Sequence, residues 1–126
     1  MAVLYHLDAD TPRGDSVRAV LSDQGIRIRT ATEEDLGQTV GTLAGLPGFK
    51  RSEKPFAGEI PTEEFMLLAN VDSKLLNVLL AAMRDADCSV GCKAQMTQSN
   101  RLWPFATLVQ QVSREHAMMT SPDPQS

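Results

Sequence analysis

The stretch KAQMTQSNRLW, residues 93–103, holds the densest set of groups able to bind something. Lys93 and Arg101 supply positive charge, Thr97 and Asn100 supply hydrogen-bond donors and acceptors, and Trp103 supplies a stacking face. The stretch reads as a strand end, a loop and a helix start. Ligands of open α/β sheets bind beyond the carboxyl ends of strands. Free backbone N–H groups and the positive end of a helix suit an anion there. One chemistry this implies is recognition of a small anionic metabolite or nucleotide. The same residues have a plainer use: Thr and Asn satisfy the backbone of their own turn, and a Trp packs beneath the loop.

A second set lies in residues 45–61, GLPGFKRSEKPFAGEIP. Phe49, Lys50, Arg51, Lys54 and Phe56 interleave aromatic rings with positive charge, which fits an interaction flap or a solvated linker. Gly41, Gly45 and Gly48 are not followed by the Gly-Lys-Ser/Thr of a phosphate loop, so they read as close packing and a helix end. Asp8 and Asp72 follow the first strands of the two halves. If they met at one end of a sheet they would form a carboxylate site, which is the enzyme reading. Cys88, Cys92, His6 and His116 are the soft metal ligands. The C-x3-C spacing is not one of structural zinc, and no metal or cofactor is expected.

The elements that must position these groups come in the same order twice. Residues 2–7 read as a buried strand, and Thr11 with Pro12 opens a helix carrying Val17, Val20 and Leu21, closed by Gly25. Residues 26–30, IRIRT, alternate as a half-buried strand near a sheet edge. Thr32 to Asp35 resembles a capping box ahead of a helix bearing Leu36, Val40 and Leu43, ending by Gly45. After the long connection, residues 64–69 form an apolar strand. Asp72 caps a helix with Leu75, Leu76, Leu79, Leu80 and Met83, whose stripe is expected at the centre of the core. Residues 90–97 form the last strand, and Pro104 opens a helix with Phe105, Leu108, Val109 and Val112 on one face.

Strands alternating with helices predict an α/β fold: a duplicated βαβα unit, about four strands in a parallel or mixed sheet, covered by about four helices. The reading is one domain over 1–119, with pseudo-repeats 2–45 and 64–119, a connecting loop 45–61 and a disordered polar tail 120–126. A chain of 126 residues with a net charge of -4 suits a single domain and argues against nucleic-acid binding, which needs a basic face. No run approaches the roughly 20 apolar residues of a membrane helix, and the apolar run near Met1 is too short for a signal peptide. Two cysteines are too few for a disulfide framework, which fits a reducing compartment, the cytoplasm.

Lys93, Ala94, Thr97, Asn100 and Trp103, followed by a helix closing on Glu115 and His116, resemble the pattern of a bacterial family described as domain of unknown function 3783. The stretch EEDLGQTVGTLAGLPGF, with Gly41, Leu43, Ala44 and Gly45, resembles the family's first half, so the resemblance runs over about 2–118. It implies no established chemistry. This chain departs at Pro104, where the family carries a capping Thr, and at Cys92, where an aliphatic residue is usual and a core role follows. The function expected is a non-catalytic binding or interaction module. Its partners are a protein, with a homodimer as one form, or a small anionic ligand; Asp8/Asp72 catalysis ranks third.

Overall fold

Ala-Val-Leu-Tyr and Phe-Met-Leu-Leu carry no charged residue, the pattern of strands covered on both faces. In the computed structural model, which describes residues 1–52, 56 and 58–120 (117–120 by backbone alone), they become β1 (Ala2–Tyr5) and β3 (Phe65–Leu68), buried at every position. The two pair antiparallel at the centre of a sheet of order β2-β1-β3-β4. β2 (Ile28–Ala31) lies parallel to β1 at one edge and β4 (Lys93–Gln95) parallel to β3 at the other. The four-stranded sheet is therefore mixed: two parallel pairs joined antiparallel. Lys54 and the tail beyond Thr120 fall outside the described residues.

Alternation along the strands splits the core into two layers. Ala2, Leu4, Met66 and Leu68 meet α1 (Pro12–Asp23) and α3 (Ser73–Asp85) on one face. Val3, Tyr5, Phe65 and Leu67 meet α2 (Val40–Leu43) and α4 (Phe105–Thr120) on the other. The capping chemistry follows the sequence. Thr11 Oγ1 accepts from Gly14 N at 3.0 Å with Pro12 at the first helical position, and Asp72 Oδ1 accepts from Leu75 N at 2.7 Å. Gly25, at φ 72°, ends α1.

Four expectations change. The helix expected over 33–45 divides into a 3₁₀ turn, Glu33–Asp35, and the single turn α2, because Gly37 interrupts it and Thr39 starts a new cap. β2 begins at Ile28 rather than Ile26, whose N–H is held by Leu21 O at 3.0 Å as α1 closes. β4 spans 93–95 rather than 90–97, since its ladder with β3 starts where Cys92 O receives Met66 N. On α3 only Leu79 and Met83 are buried; Leu75 and Leu76 are half covered, because α1 shares that face of the sheet.

The two halves make matching bonds. Cys88 N reaches Met83 O at 2.9 Å as Ile26 N reaches Leu21 O. His6 and Asn70, just beyond β1 and β3, both hold positive φ, 57° and 59°. Thr39 and Pro104 face each other in an isolated antiparallel bridge, flanked by Val40 N to Trp103 O at 2.9 Å and Phe105 N to Gln38 O at 2.7 Å.

Candidate functional site

The turn after β4 is closed by its own side chains. Asn100, buried, accepts Thr97 N on Oδ1 at 2.7 Å and donates Nδ2 to Gln95 O at 3.0 Å. Thr97 Oγ1 accepts Asn100 N at 3.0 Å, and Arg101 N reaches Thr97 O at 3.1 Å. The N–H groups that open α4 are also occupied: Phe105 N bonds Gln38 O and Ala106 N bonds Leu36 O at 3.0 Å. Backbone carbonyls thus replace the side-chain cap that Pro104 removes. An anion at this helix end would have to displace bonds already made.

The structure brings together some of the expected residues and separates others. Thr97, Asn100, Arg101 and Trp103 share the turn. Lys93 does not join them: its Nζ bonds Val90 O at 3.0 Å, and it lines a hollow of about 200 Å³ with Leu80, Met83 and Arg84 on the α3 side. Thr97 opens instead onto a cleft of about 520 Å³ with Asn70, Asp72 and Gln95. Arg101 Nε is buried without a hydrogen-bond partner. Trp103 packs partly covered against the α2 and α4 layer, and Leu102 beside it is 62% exposed.

The first half has a corresponding turn and cleft. Thr32 N donates to Asp35 Oδ2 at 2.9 Å, as Thr97 N donates to Asn100. A cleft of about 430 Å³ opens beside Tyr5, His6, Asp8, Thr32, Glu33 and Glu34. Tyr5 OH donates to Pro61 O at 2.7 Å, and His6 Nε2 lies 3.2 Å from the same carbonyl. Burial first, then the charges of Glu33 and Glu63, push the Tyr5 phenol up to about 12. Because β1 and β3 run antiparallel, the carboxyl ends of β1 and β2 lie opposite those of β3 and β4. Asp8 and Asp72 therefore stand at opposite ends of the sheet and do not form the shared carboxylate site expected of them; Asp72 is also occupied as the α3 cap.

Residues 45–52 of the connecting loop lie as a strap on the Asp35–Gly41 segment. The Phe49 ring covers Gly41, where an added Cβ would sit 2.7 Å from it. Arg51 Nη2 reaches Asp35 Oδ1 at 2.5 Å. Buried Gln38 grips one residue twice, accepting Ser52 N on Oε1 and donating Nε2 to Ser52 O, each at 2.7 Å. Burial works to raise the Asp35 carboxyl, but the Thr32 backbone N–H, the Arg51 hydrogen bond and charge, and the Thr32 hydroxyl outweigh it and hold the group below its ordinary value. Lys50 is exposed, and Phe56 packs partly buried on the α4 layer. Gln38 and Leu102 were not singled out from the sequence. The matching turns did leave a signal, since Thr-x-x-Asp at 32–35 and Thr-x-x-Asn at 97–100 recur at the same place after a strand.

Cys88 lies in the α1 and α3 layer and Cys92 in the α2 and α4 layer, so the sheet separates the thiols. Among the described residues no three His, Cys, Asp or Glu side chains converge as a metal site requires, and no helix is long and apolar enough to cross a membrane.

Neither a curated protein nor a solved structure matches the chain. A family model does, and it covers residues 64–119, from the start of β3 into the end of α4; the first half, which the sequence resemblance had included, lies outside it. Residues 64–119 of this chain match the family described as domain of unknown function (DUF3783).

Proposed function

We propose that this domain is a non-catalytic interaction module that presents the β4–α4 turn to a protein partner, in a bacterial cytoplasm. One observation carries the reading. The Thr97 and Asn100 side chains bond within the turn itself, while Leu102 projects at 62% exposure next to a part-covered Trp103. The turn therefore offers an exposed apolar side chain beside Trp103 and Arg101, and Trp and Arg are residue types enriched in protein-binding hot spots. Two unpaired cysteines in separate layers agree with a reducing compartment. The matching bonds of the two halves support descent from a duplicated βαβα unit.

Self-association is the form tested first. Leu102→Ser removes the exposed apolar group at a stability change within about 0.5 kcal/mol, as for other surface positions. Sedimentation of the wild type at rising concentration, beside Leu102→Ser, reads the surface directly. A dimer abolished by the substitution supports a homodimer. A wild type that stays monomeric moves the search to a different protein, captured on wild-type chain and lost on Leu102→Ser. Capture unaffected by Leu102→Ser removes the reading.

A small-ligand reading is favoured by the two clefts at the carboxyl ends of the parallel pairs. Asp8, Glu33 and Glu34 line one and Asp72 the other, so this reading now fits a neutral or cationic ligand better than the anion suggested by Lys93 and Arg101.

A further inference from the structure

The strap Phe49–Ser52 makes contacts of three separable kinds with one short segment. Asp35, Gln38 and Gly41 follow at every third position, and each takes a different part of the strap: a guanidinium, a backbone amide pair and an aromatic face. The two bonds from the Gln38 amide to the N–H and C=O of Ser52 read backbone, which any residue but proline offers. The Asp35 carboxylate reads Arg51, and its orientation is fixed independently by Thr32 N. Gly41 reads an aromatic ring, because any side chain there would occupy the space of Phe49. This is the division of labour of a peptide-binding groove: backbone bonds for affinity and side-chain seats for specificity.

The strap is also separable from the fold. None of Phe49, Lys50, Arg51 or Ser52 belongs to either core cluster, and the strap lies in the connection between α2 and β3, outside every strand pairing. Gln38, by contrast, is 3% exposed and Gly41 is buried. The face that holds Gln38 and Gly41 is thus covered by a segment that takes no part in the sheet.

We propose that Phe49–Ser52 is an autoinhibitory segment, and that the Asp35–Gln38–Gly41 groove beneath it binds, in trans, a peptide carrying an aromatic residue two positions before an arginine. The site is distinct from Leu102 and stands whether or not that residue contacts a partner. In cis the strap acts at an effective concentration in the millimolar range, so it holds out competitors of similar affinity. Weakening the strap raises the fraction of open groove and with it the apparent affinity for a peptide in trans.

The test uses the full chain and a fluorescein-labelled peptide of residues 45–52, GLPGFKRS. The double variant Phe49→Ser/Arg51→Ser removes the Phe49 and Arg51 side-chain contacts and leaves the groove residues unchanged; its folding is checked by circular dichroism. Fluorescence anisotropy is expected to show saturable binding to this variant, at least about tenfold tighter than to the wild type. Adding Asp35→Asn to the double variant should weaken binding by at least about tenfold, since the carboxylate then no longer pairs with the peptide arginine. Absence of saturable binding to the folded double variant overturns the proposal, as does binding indifferent to Asp35→Asn. An unfolded double variant also overturns it, because the strap would then be part of the fold rather than a lid upon it.

Discussion

Thr39 and Pro104 meet in a single antiparallel bridge, each the residue that precedes a helix on the same face of the sheet. The bonds on either side of it, Val40 to Trp103 and Phe105 to Gln38, hold the N-termini of α2 and α4 to each other. This is a second seam between the halves, beside the β1–β3 ladder. It depends on Asn100, whose side chain sets the path of the chain into Trp103.

Asn100→Ala removes the two side-chain bonds to Thr97 N and Gln95 O at this part-buried turn. The loss should be about 0.5–1.5 kcal/mol of stability for each hydrogen bond, the range for a typical intramolecular one. Urea unfolding monitored by Trp103 fluorescence measures it, and a change within about 0.5 kcal/mol would show that water replaces the amide freely. Asn100→Asp should be no better, because its carboxylate faces the Gln95 carbonyl without a donor.

Gly14→Ala should be costly although the position is helical. The added Cβ would stand 1.9 Å from the backbone carbonyl oxygen of Asp8, which cannot move without disturbing the Thr11 cap, whose hydroxyl donates to that carbonyl. Overpacking of this kind costs about 1–3 kcal/mol. A melting temperature equal to that of the wild type would contradict the geometry.

Asp35 and Tyr5 give stability opposite dependences on pH. The Asp35 pKa is lowered by folding, so its contribution is present above the ordinary value of 3.8 and fades as the pH falls through its folded value. The Tyr5 pKa is raised from 10.0 to about 12, so its contribution is complete below 10 and fades as the pH rises towards 12. Denaturation midpoints across pH should fall at both ends. Asp35→Asn should flatten the acid limb and Tyr5→Phe the alkaline one; limbs unchanged by these substitutions would assign the dependence to other groups.

Cys88 and Cys92 should stay reduced on exposure to a mild oxidant, because the sheet lies between them. Both are buried, and burial also pushes the Cys88 thiol up, against a partial opposing effect of Arg13 and a small addition from Asp87. Ellman's reagent should therefore titrate two thiols quickly in denaturant and react slowly in buffer. Fast reaction in buffer would place one thiol in an opening segment.

Much of this architecture could be read before any coordinates. Continuous apolar runs marked β1 and β3, and Thr11-Pro12, Gly25 and Asp72 marked helix ends, because those signals are local. The helix over 33–45 failed where Gly37 and a new Thr cap outweighed apolar spacing. The placement of Lys93 failed for a different reason. Its direction depends on register with Met66 across the sheet, and register is a relation between distant segments. Gln38 was invisible for the same cause, since its use depends on Ser52 folding back over it. The antiparallel join of the two halves, which parts Asp8 from Asp72, leaves no mark in either half alone.

That join also sets a waiting time. A ribosome adding about 5–20 residues per second takes roughly 3–13 s to travel from Ala2 to Phe65. Until β3 emerges, one edge of an entirely apolar β1 has no neighbour, and an open apolar edge recruits strands from any chain nearby. The nascent first half is thus most exposed to misassembly while the long connection is being translated. Slow decoding of residues 45–61 should lower the yield of folded protein in the cell, with the finished molecule no less stable.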